Sequence, residues 1–575
     1  MAMTARRRPS SPARHTPPPR PPHASPCPSA AQRDYRRTYH GESGHAGRPA
    51  LYSLDSPGLI GHDPWKPDEA HTFGVVYQLL KNGDWVVPML AGEPFLSKPP
   101  LIYLTAALTG TLFSPVLPLH DAARLATGFY MALAFLFIAL TAKELYGSSK
   151  GWVAALMLLG CGGLLLRGHQ LIAETALLAG LAIGLFALAL SARRPLIAGL
   201  WLGTGLGICM LSEGLVEPVM LLLTMALLPL VSSHWRTRYY LLTIFVALVA
   251  VTPWAVVWPL LLEARSPHLF AQWFWVENVE RLKGIFIFTA DEDYFYYVYA
   301  LPWFAWPAWP FALWGLWVEG RAGLQKPGII LPLTAFAAFF LFLSIIGEGR
   351  DVFGLPLLLP ISLLAVVSFE TLQRGAANLY YWFAIVLFAF FAIVGWFYWM
   401  AIDLSIPSQL WKHMMDMQPA YHSGGRAIAV TLAALFTFAW LVLLFNVKRR
   451  PERAVITWAA GVTMLWALVA LLLVRYIDTG KTYRAVFTQL SQALPSAHGC
   501  IYSQALGEPQ RAMLHYFGNI LTVRLEKPGK RPDCDLLIIQ EKGKSPVHVG
   551  GSWKLIWEGR RPGDKVERFQ LYRQS

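Results

Sequence analysis

The chain predicts an all-α polytopic membrane protein with a soluble α/β domain at its C-terminus, and three observations predict it. Of the 575 residues, 55% are hydrophobic and only 15% charged, and the mean hydropathy is +0.41, too apolar for a soluble globule. The apolar residues fall in runs of about 16 to 26, the length that crosses a bilayer. The basic residues lie in short gaps between those runs and at the two ends, so the formal charge of +14 reads as a topology signal and excludes a nucleic-acid partner. Cys27, Cys161, Cys209, Cys500 and Cys534 show no CxxC or Cys/His spacing suited to a metal.

Taken in order, residues 1–50 hold nine Arg and ten Pro and almost no large apolar side chains. Residues 1–60 are therefore expected to form a disordered Pro/Arg-rich tail, and without an apolar h-region they are no secretory signal peptide. Residues 61–120 read as a loop with juxtamembrane helices and as a candidate functional site. Asp68 and Glu69 open an amphipathic helix, Asn82-Gly83-Asp84-Trp85 makes a turn, and Lys98-Pro99-Pro100 ends the loop. The apolar run 101–117, interrupted at Pro115, is marginal for a span and suits the interface.

Twelve spans are expected within 121–475, near 121–142, 151–166, 172–191, 196–211, 214–231, 237–262, 295–318, 328–346, 352–371, 378–401, 425–446 and 454–474. Lys143 and Lys150, Arg193 and Arg194, Arg236 and Arg238, Arg321 and Lys326, Arg374, and the 448–453 cluster mark the cytoplasmic connections. The other face then receives the Asp68 loop, 167–174, Ser212-Glu213, the long loop 263–294, 347–351, 402–424 and everything after Arg475. An even span count puts the Arg-rich tail on that face as well. A span is therefore expected to be missing, and residues 1–60 are expected not to be the native start. In 476–575, helices are expected at 483–494 and 509–516 and strands at 500–503, 534–540, 553–557 and 569–572. Cys500 and Cys534 each open a strand, so a disulfide between them is expected.

Ionisable groups at a membrane boundary are costly unless they serve a ligand, an ion or each other, and nearly all the unusual ones here fall on one face. Each has a plain structural alternative. Asp68 and Glu69 suit the first turn of a helix, and Lys98 suits a snorkelling position beside a span. Glu174 has Arg167 and His169 nearby as compensating partners, and Glu277, Asn278 and Arg281 could form an ion pair internal to their loop. The aromatic run from Tyr294 to Trp309 reads as an interfacial belt.

The order of Asp68-Glu69, Asn82-Gly83-Asp84-Trp85, Gly92-Glu93-Pro94-Phe95, Lys98-Pro99-Pro100, Ala122-Ala123-Arg124-Leu125 and the 275–281 segment WVENVER resembles one known family. It is similar to the GT-C glycosyltransferases of the protein O-mannosyltransferase and lipid A aminoarabinose transferase type, over most of residues 63–475. The resemblance implies a GT-C fold whose active site faces the periplasm from the bacterial inner membrane. It implies transfer of a sugar from a polyprenyl-phosphate donor, undecaprenyl phosphate, to an envelope lipid such as lipid A or to a glycan or protein. On this resemblance Asp68 matches the catalytic loop aspartate, with Glu69 beside it and Glu174 at the second-loop acidic position. Lys98 matches the lysine on the donor phosphate, Arg350 lies where a basic residue stands near that phosphate, and His71, at a position where the aminoarabinose enzymes usually carry Arg, is assigned to the donor phosphate with them. Glu277, Asn278, Arg281 and Glu213 fall to the acceptor or its loop.

Ser97 replaces a Glu of that branch, Glu174 an Asp, and Glu213 a Lys, so the sugar and the acceptor stay open. No cofactor is implied with certainty, and a divalent metal is left open. Two other readings are a transporter or flippase of a lipid-linked substrate, although no internal repeat is visible, and a catalytically weakened relative, which Ser97 and Glu213 suggest.

Overall fold

The computed structural model describes residues 58–284, 293–424, 426–447, 452–527, 532–542, 552–564 and 566–575. The tail expected to be disordered lies outside these residues, apart from its last three. Among the described residues, eight helices are long and apolar enough to cross a membrane.

Helix α1 (Asp68–Asn82) and the short α2 (Leu101–Phe113) precede the bundle. At 13 residues, α2 is about 20 Å long, short of the roughly 30 Å hydrocarbon core. The bundle itself runs through α3 (Leu119–Tyr146), α4 (Gly151–Gly160), α5 (Gly162–Arg167), α6 (Ala173–Leu190), α7 (Pro195–Glu213), α8 (Val219–Val231) and α9 (Arg238–Arg265). It continues through α10 (Tyr296–Phe304), α11 (Ala308–Gly323), α12 (Pro327–Ile346), α13 (Leu355–Val367), α14 (Arg374–Leu404), α15 (Ala427–Asn446) and α16 (Arg453–Leu468). The long members are α3, α6, α7, α9, α12, α14, α15 and the helix begun by α16.

The remaining four of the twelve expected spans are short or broken. The run 151–166 divides at Cys161 between glycines, 214–231 keeps only the 13 residues of α8, and 295–318 breaks between Phe304 and Ala308 at Pro307. Residues 352–371 form a 3-10 turn and the 13-residue α13. Glycine and proline weaken helices, and a broken helix is tolerated at membrane depth where protein supplies the missing partners. Here Gly162 N–H donates to the Trp306 carbonyl at 3.1 Å across that break. Helix α6 is apolar all round and almost wholly buried, which makes it the bundle's axis, whereas α9 and α15 keep most of their surface outside.

After α16 the chain passes a π-helical turn and forms α17 (Arg484–Ala493), α18 (Glu508–Gly518) and a sheet of order β4-β3-β5-β7-β6. Its strands are β3 (Ile501–Gln504), β4 (Val523–Arg524), β5 (Leu536–Lys542), β6 (Trp553–Gly559) and β7 (Glu567–Gln574). Strand β3 runs parallel to β4 and β5, whereas β7 is antiparallel to β5 and β6. Leu536, Leu537, Ile538 and Ile539 are all buried, as expected of a strand covered on both faces. Cys500 and Cys534 are joined in a disulfide. The two-residue β4 carries too little pattern to be read from sequence.

The sheet does not keep a core of its own. Phe73, Val76 and Leu79 of α1 share one hydrophobic cluster with Tyr483, Phe487, Met513, Leu514 and Phe569, and with Ala123 and Ala176 of the bundle. Gly74 makes the approach of α18 possible, because a Cβ there would stand 2.5 Å from Ala512 Cβ. The loop after α1 turns back through the hairpin β1 (Met89–Leu90) and β2 (Glu93–Pro94). Glu93 of the Gly-Glu-Pro-Phe motif reaches Arg511 at 3.0 Å and Lys527 at 2.9 Å. The loop is therefore clamped between the bundle and the sheet.

Candidate active site

Asp68 and Glu69 leave the first turn of α1 in different directions. Neither acts as a side-chain N-cap, since that position is Pro67 and accepts no side-chain bond. Glu69 points into protein. Its Oε1 accepts from Arg124 Nε at 2.6 Å and from Leu171 N–H at 3.3 Å, and its Oε2 from Trp65 N–H at 3.1 Å. Burial alone pushes this carboxyl up, but the Arg124 guanidinium outweighs burial and holds it at about 2. Arg124 also donates to Asp121 at 2.6 Å and to the Leu59 and His62 carbonyls at 3.1 Å each, so all of its charge is used in place.

The same node continues into the C-terminal part of the chain. Asp63 accepts from Thr482 Oγ1 at 2.6 Å and from the Arg484 guanidinium, and Asp478 accepts from Trp65 Nε1 at 2.8 Å. It fixes where α1 begins.

Asp68 faces the other way. Its Oδ1 accepts from Arg350 at 2.5 Å, while Oδ2 is buried with no hydrogen-bond donor among the described residues and the Arg167 guanidinium stands 4.0 Å off. Arg167 is turned by Asp351, which it grips through Nε at 3.1 Å and Nη2 at 2.8 Å, and by Gln170 at 3.0 Å. Four segments far apart in sequence, at Asp68, Lys98, Arg167–Glu174 and Arg350-Asp351, thus meet at one end of the bundle.

Lys98 lies between two carboxylates, donating to Glu174 Oε1 and Glu213 Oε1 at 2.8 Å each. Burial works against the ammonium, yet the two carboxylates outweigh it and push Lys98 upward, so it is charged throughout the working range. An ammonium has three donors and two are engaged here, which leaves one. The Oε2 of Glu174 and the hydroxyl of Tyr103 are also buried without a donor or acceptor among the described residues. His71, on the same face of α1, is drawn down to about 4 by burial and then by the Lys98 charge. At neutral pH it is an uncharged imidazole that can offer a hydrogen bond. Ser97 is exposed.

The WVENVER residues divide in the same way. Asn278 is structural: its Oδ1 accepts from Leu215 N–H at 2.7 Å, its Nδ2 donates to the Trp273 carbonyl at 2.8 Å, and Gly214, at φ +96°, has room for it only because no Cβ is present. That contact seats the turn directly after Glu213. Arg281 leaves its own loop to pair with Glu217 at 2.8 Å and Glu348 at 3.4 Å. Glu277 is half-buried, which pushes its carboxyl up, and it makes no hydrogen bond or ion pair among the described residues. An ion pair internal to the loop, one of the alternatives from sequence, is therefore replaced by a cross-link to the turn that precedes α8 and to the Gly347–Asp351 loop.

Arg167 and Asp351, Tyr103, Glu217 and Glu348 had no assigned function from sequence. Their signal was only that charged residues recur just outside apolar runs. Among the described residues, no three His, Cys, Asp or Glu side chains come together as a metal site.

No protein-family model matches the chain. It is 24% identical over 435 residues to the undecaprenyl phosphate-alpha-4-amino-4-deoxy-L-arabinose arabinosyl transferase of Yersinia enterocolitica, across 70% of this chain and 71% of that protein. To the protein of the same name from Pseudomonas aeruginosa it is 27% identical over 434 residues, across 72% of each chain. The crystal structure of ArnT from Cupriavidus metallidurans bound to undecaprenyl phosphate superposes over 91% of this chain and 96% of that one, with a TM-score of 0.64 and 17% identity. That likeness establishes a common fold. In sequence and in fold, the chain is similar to the aminoarabinose transferases among the GT-C glycosyltransferases.

Proposed function

We propose that the chain is an inverting glycosyltransferase that moves a sugar from undecaprenyl phosphate to an envelope lipid of the lipid A kind, at the periplasmic face of the bacterial inner membrane. The carrying observation is Asp68: a buried carboxylate with one oxygen fixed by Arg350 and the other left without a donor, where four loops converge. The names of the relatives supply the donor, an undecaprenyl-phosphate-linked 4-amino-4-deoxy-L-arabinose, and the solved neighbour was crystallised with undecaprenyl phosphate. Residues 61–120 form the catalytic loop, 121–475 the membrane domain and 476–575 the periplasmic domain.

In the reaction the acceptor oxygen attacks the anomeric carbon as the bond from that carbon to the phosphate oxygen breaks, and the electron pair leaves with the lipid phosphate. Asp68 Oδ2 orients the acceptor oxygen and takes its proton where it carries one. The remaining N–H of Lys98 and the guanidinium of Arg350 stabilise the charge on the departing phosphate. Glu174 and Glu213 hold Lys98 charged and in position. Glu69 acts through Arg124 as a positioning residue, and so does Asn278 through the Gly214 turn. Arg281, with His71 as a neutral hydrogen-bonding group, serves the substrates from the rim.

The test is purified protein with undecaprenyl-phosphate-linked aminoarabinose and lipid A. A product heavier by one sugar with an inverted anomeric centre is expected. Movement of the lipid-linked sugar across a vesicle without any new glycosidic bond would establish the transporter reading instead.

A further inference from the structure

A second feature lies at the opposite end of the bundle. The C-terminal end of α9 belongs to the active-site end, since Trp258 Nε1 donates to the Val86 carbonyl at 2.9 Å and Arg265 meets Asp84 at 3.5 Å. The helix has 28 residues, so at the α-helical rise Arg238 lies roughly 40 Å away, beyond the opposite edge of a hydrocarbon core about 30 Å thick.

There α8 and α9 separate around the turn Ser233–Trp235 and enclose a cleft of about 500 Å³. The backbone at the cleft is satisfied without closing it. Ser232 accepts from His234 N–H at 3.3 Å, Thr237 accepts from Tyr240 N–H at 3.2 Å, and Trp235 Nε1 anchors the turn on the Leu188 carbonyl at 3.2 Å. Tyr240 OH donates across to the Met225 carbonyl at 2.7 Å, which holds the two helices in fixed relation.

The walls are apolar, with Leu222, Met225, Ala226, Leu241 and Ile244 among them, and Arg236 and Arg238 stand in the lining as well. Arg236 uses Nε and Nη2 to close α8, donating to the Pro229 carbonyl at 2.5 Å and the Leu230 carbonyl at 2.8 Å. Arg238 is exposed and has no carboxylate partner among the described residues. Neither α8 nor the turn contains an acidic residue, and the one acidic residue of α9 is Glu263 at its far end. Leu222 and Leu241 are 45% and 68% exposed, so the cleft opens sideways, where the bilayer would lie.

We propose that this cleft binds an anionic glycerophospholipid, with the phosphate on Arg238 and the outer edge of Arg236 and an acyl chain between α8 and α9. Apolar walls alone would accept a chain from any lipid. Two uncompensated arginines at the headgroup level select a negative charge, and a soluble anion would leave the cleft walls unexplained.

The test uses the full-length protein in nanodiscs of equal phosphatidylglycerol and phosphatidylethanolamine with matched acyl chains, and counts retained lipid by native mass spectrometry during stepwise delipidation. Retention of phosphatidylglycerol about fivefold over phosphatidylethanolamine is expected, as one arginine at a membrane surface supplies. Arg238→Gln should abolish the preference and Arg238→Lys restore it. Ala226→Trp, which fills the cleft without touching a charge, should abolish it too. Both side chains are exposed, so wild-type melting temperatures are expected. Equal retention of the two lipids by the wild type, or a preference that survives Arg238→Gln, overturns the proposal. A preference that survives Ala226→Trp overturns the acyl chain's place in the cleft.

Discussion

Two charge clusters anchored on adjacent residues of α1 behave in opposite ways. Beneath the helix, Glu69, Arg124, Asp121, Asp63 and Arg484 satisfy one another and join the loop to both the bundle and the C-terminal sheet. On its other side, Asp68, Lys98, Glu174 and Tyr103 are just as enclosed, but Asp68 Oδ2, Glu174 Oε2 and the Tyr103 hydroxyl lack partners among the described residues. A buried polar group left unpaired costs free energy; three occur in the second cluster, whereas beside the first the one such atom is His62 Nε2. The first cluster holds position, and the second is the one we propose to hold substrate.

The most severe effect should come from breaking the saturated cluster. Arg124→Met strands two buried carboxylates, and loss of about 3 to 5 kcal/mol is expected, read as a collapse of the melting temperature in detergent. Glu69→Gln should be less damaging, with total activity falling only as far as the folded fraction falls.

The pH series sharpens this point. The folded-state pKa of Glu69, about 2, lies below its ordinary 4.5. The unfolded chain therefore takes the proton first, and the stability contributed by Glu69 is complete above about 4.5 and lost as pH falls towards 2. Wild-type melting should show this acid component and Glu69→Gln should lack it. His71 adds a step of the same sign at higher pH: its folded pKa of about 4 lies below 6.5, so stability declines as pH falls from 6.5 to 4, a step absent in His71→Gln.

Arg350→Gln should leave folding intact, since its side chain is nearly half exposed, and should raise the KM for lipid-linked sugar about tenfold. Glu277→Gln should change either quantity least, within about 0.5 kcal/mol in stability, as expected for a group without partners. A large loss of stability in Arg350→Gln together with normal melting in Arg124→Met would reverse the comparison.

Sequence reading found the long spans, the strands β3, β5, β6 and β7, and the concentration of charge on one end. Asp68, Lys98, Glu174 and Glu213 stood out because charge next to hydrocarbon is rare, and Arg350 through the family resemblance. Their pairing was not legible. Lys98 is 76 residues from Glu174 and 115 from Glu213, and no local pattern encodes contacts at that range. Arg124 stood in a quoted motif without a role, because its partners lie on α1 and in the loop before it. The neutral state of His71 was not legible either, because it follows from burial beside Lys98. The short helices α4, α8 and α13 read as full spans because composition records apolarity but not where a glycine or proline interrupts the hydrogen-bond ladder.

The central claim is that the unsaturated face, and not its neighbour, performs the transfer. Asp68→Asn preserves size and the capacity to bond Arg350 while removing the charge at Oδ2. Its transfer rate from undecaprenyl-phosphate-linked sugar, per folded molecule, should fall about a hundredfold or more with an unchanged melting temperature, whereas Glu69→Gln should retain most activity per molecule that remains folded. Equal activity per folded molecule in Asp68→Asn and wild type would contradict the account.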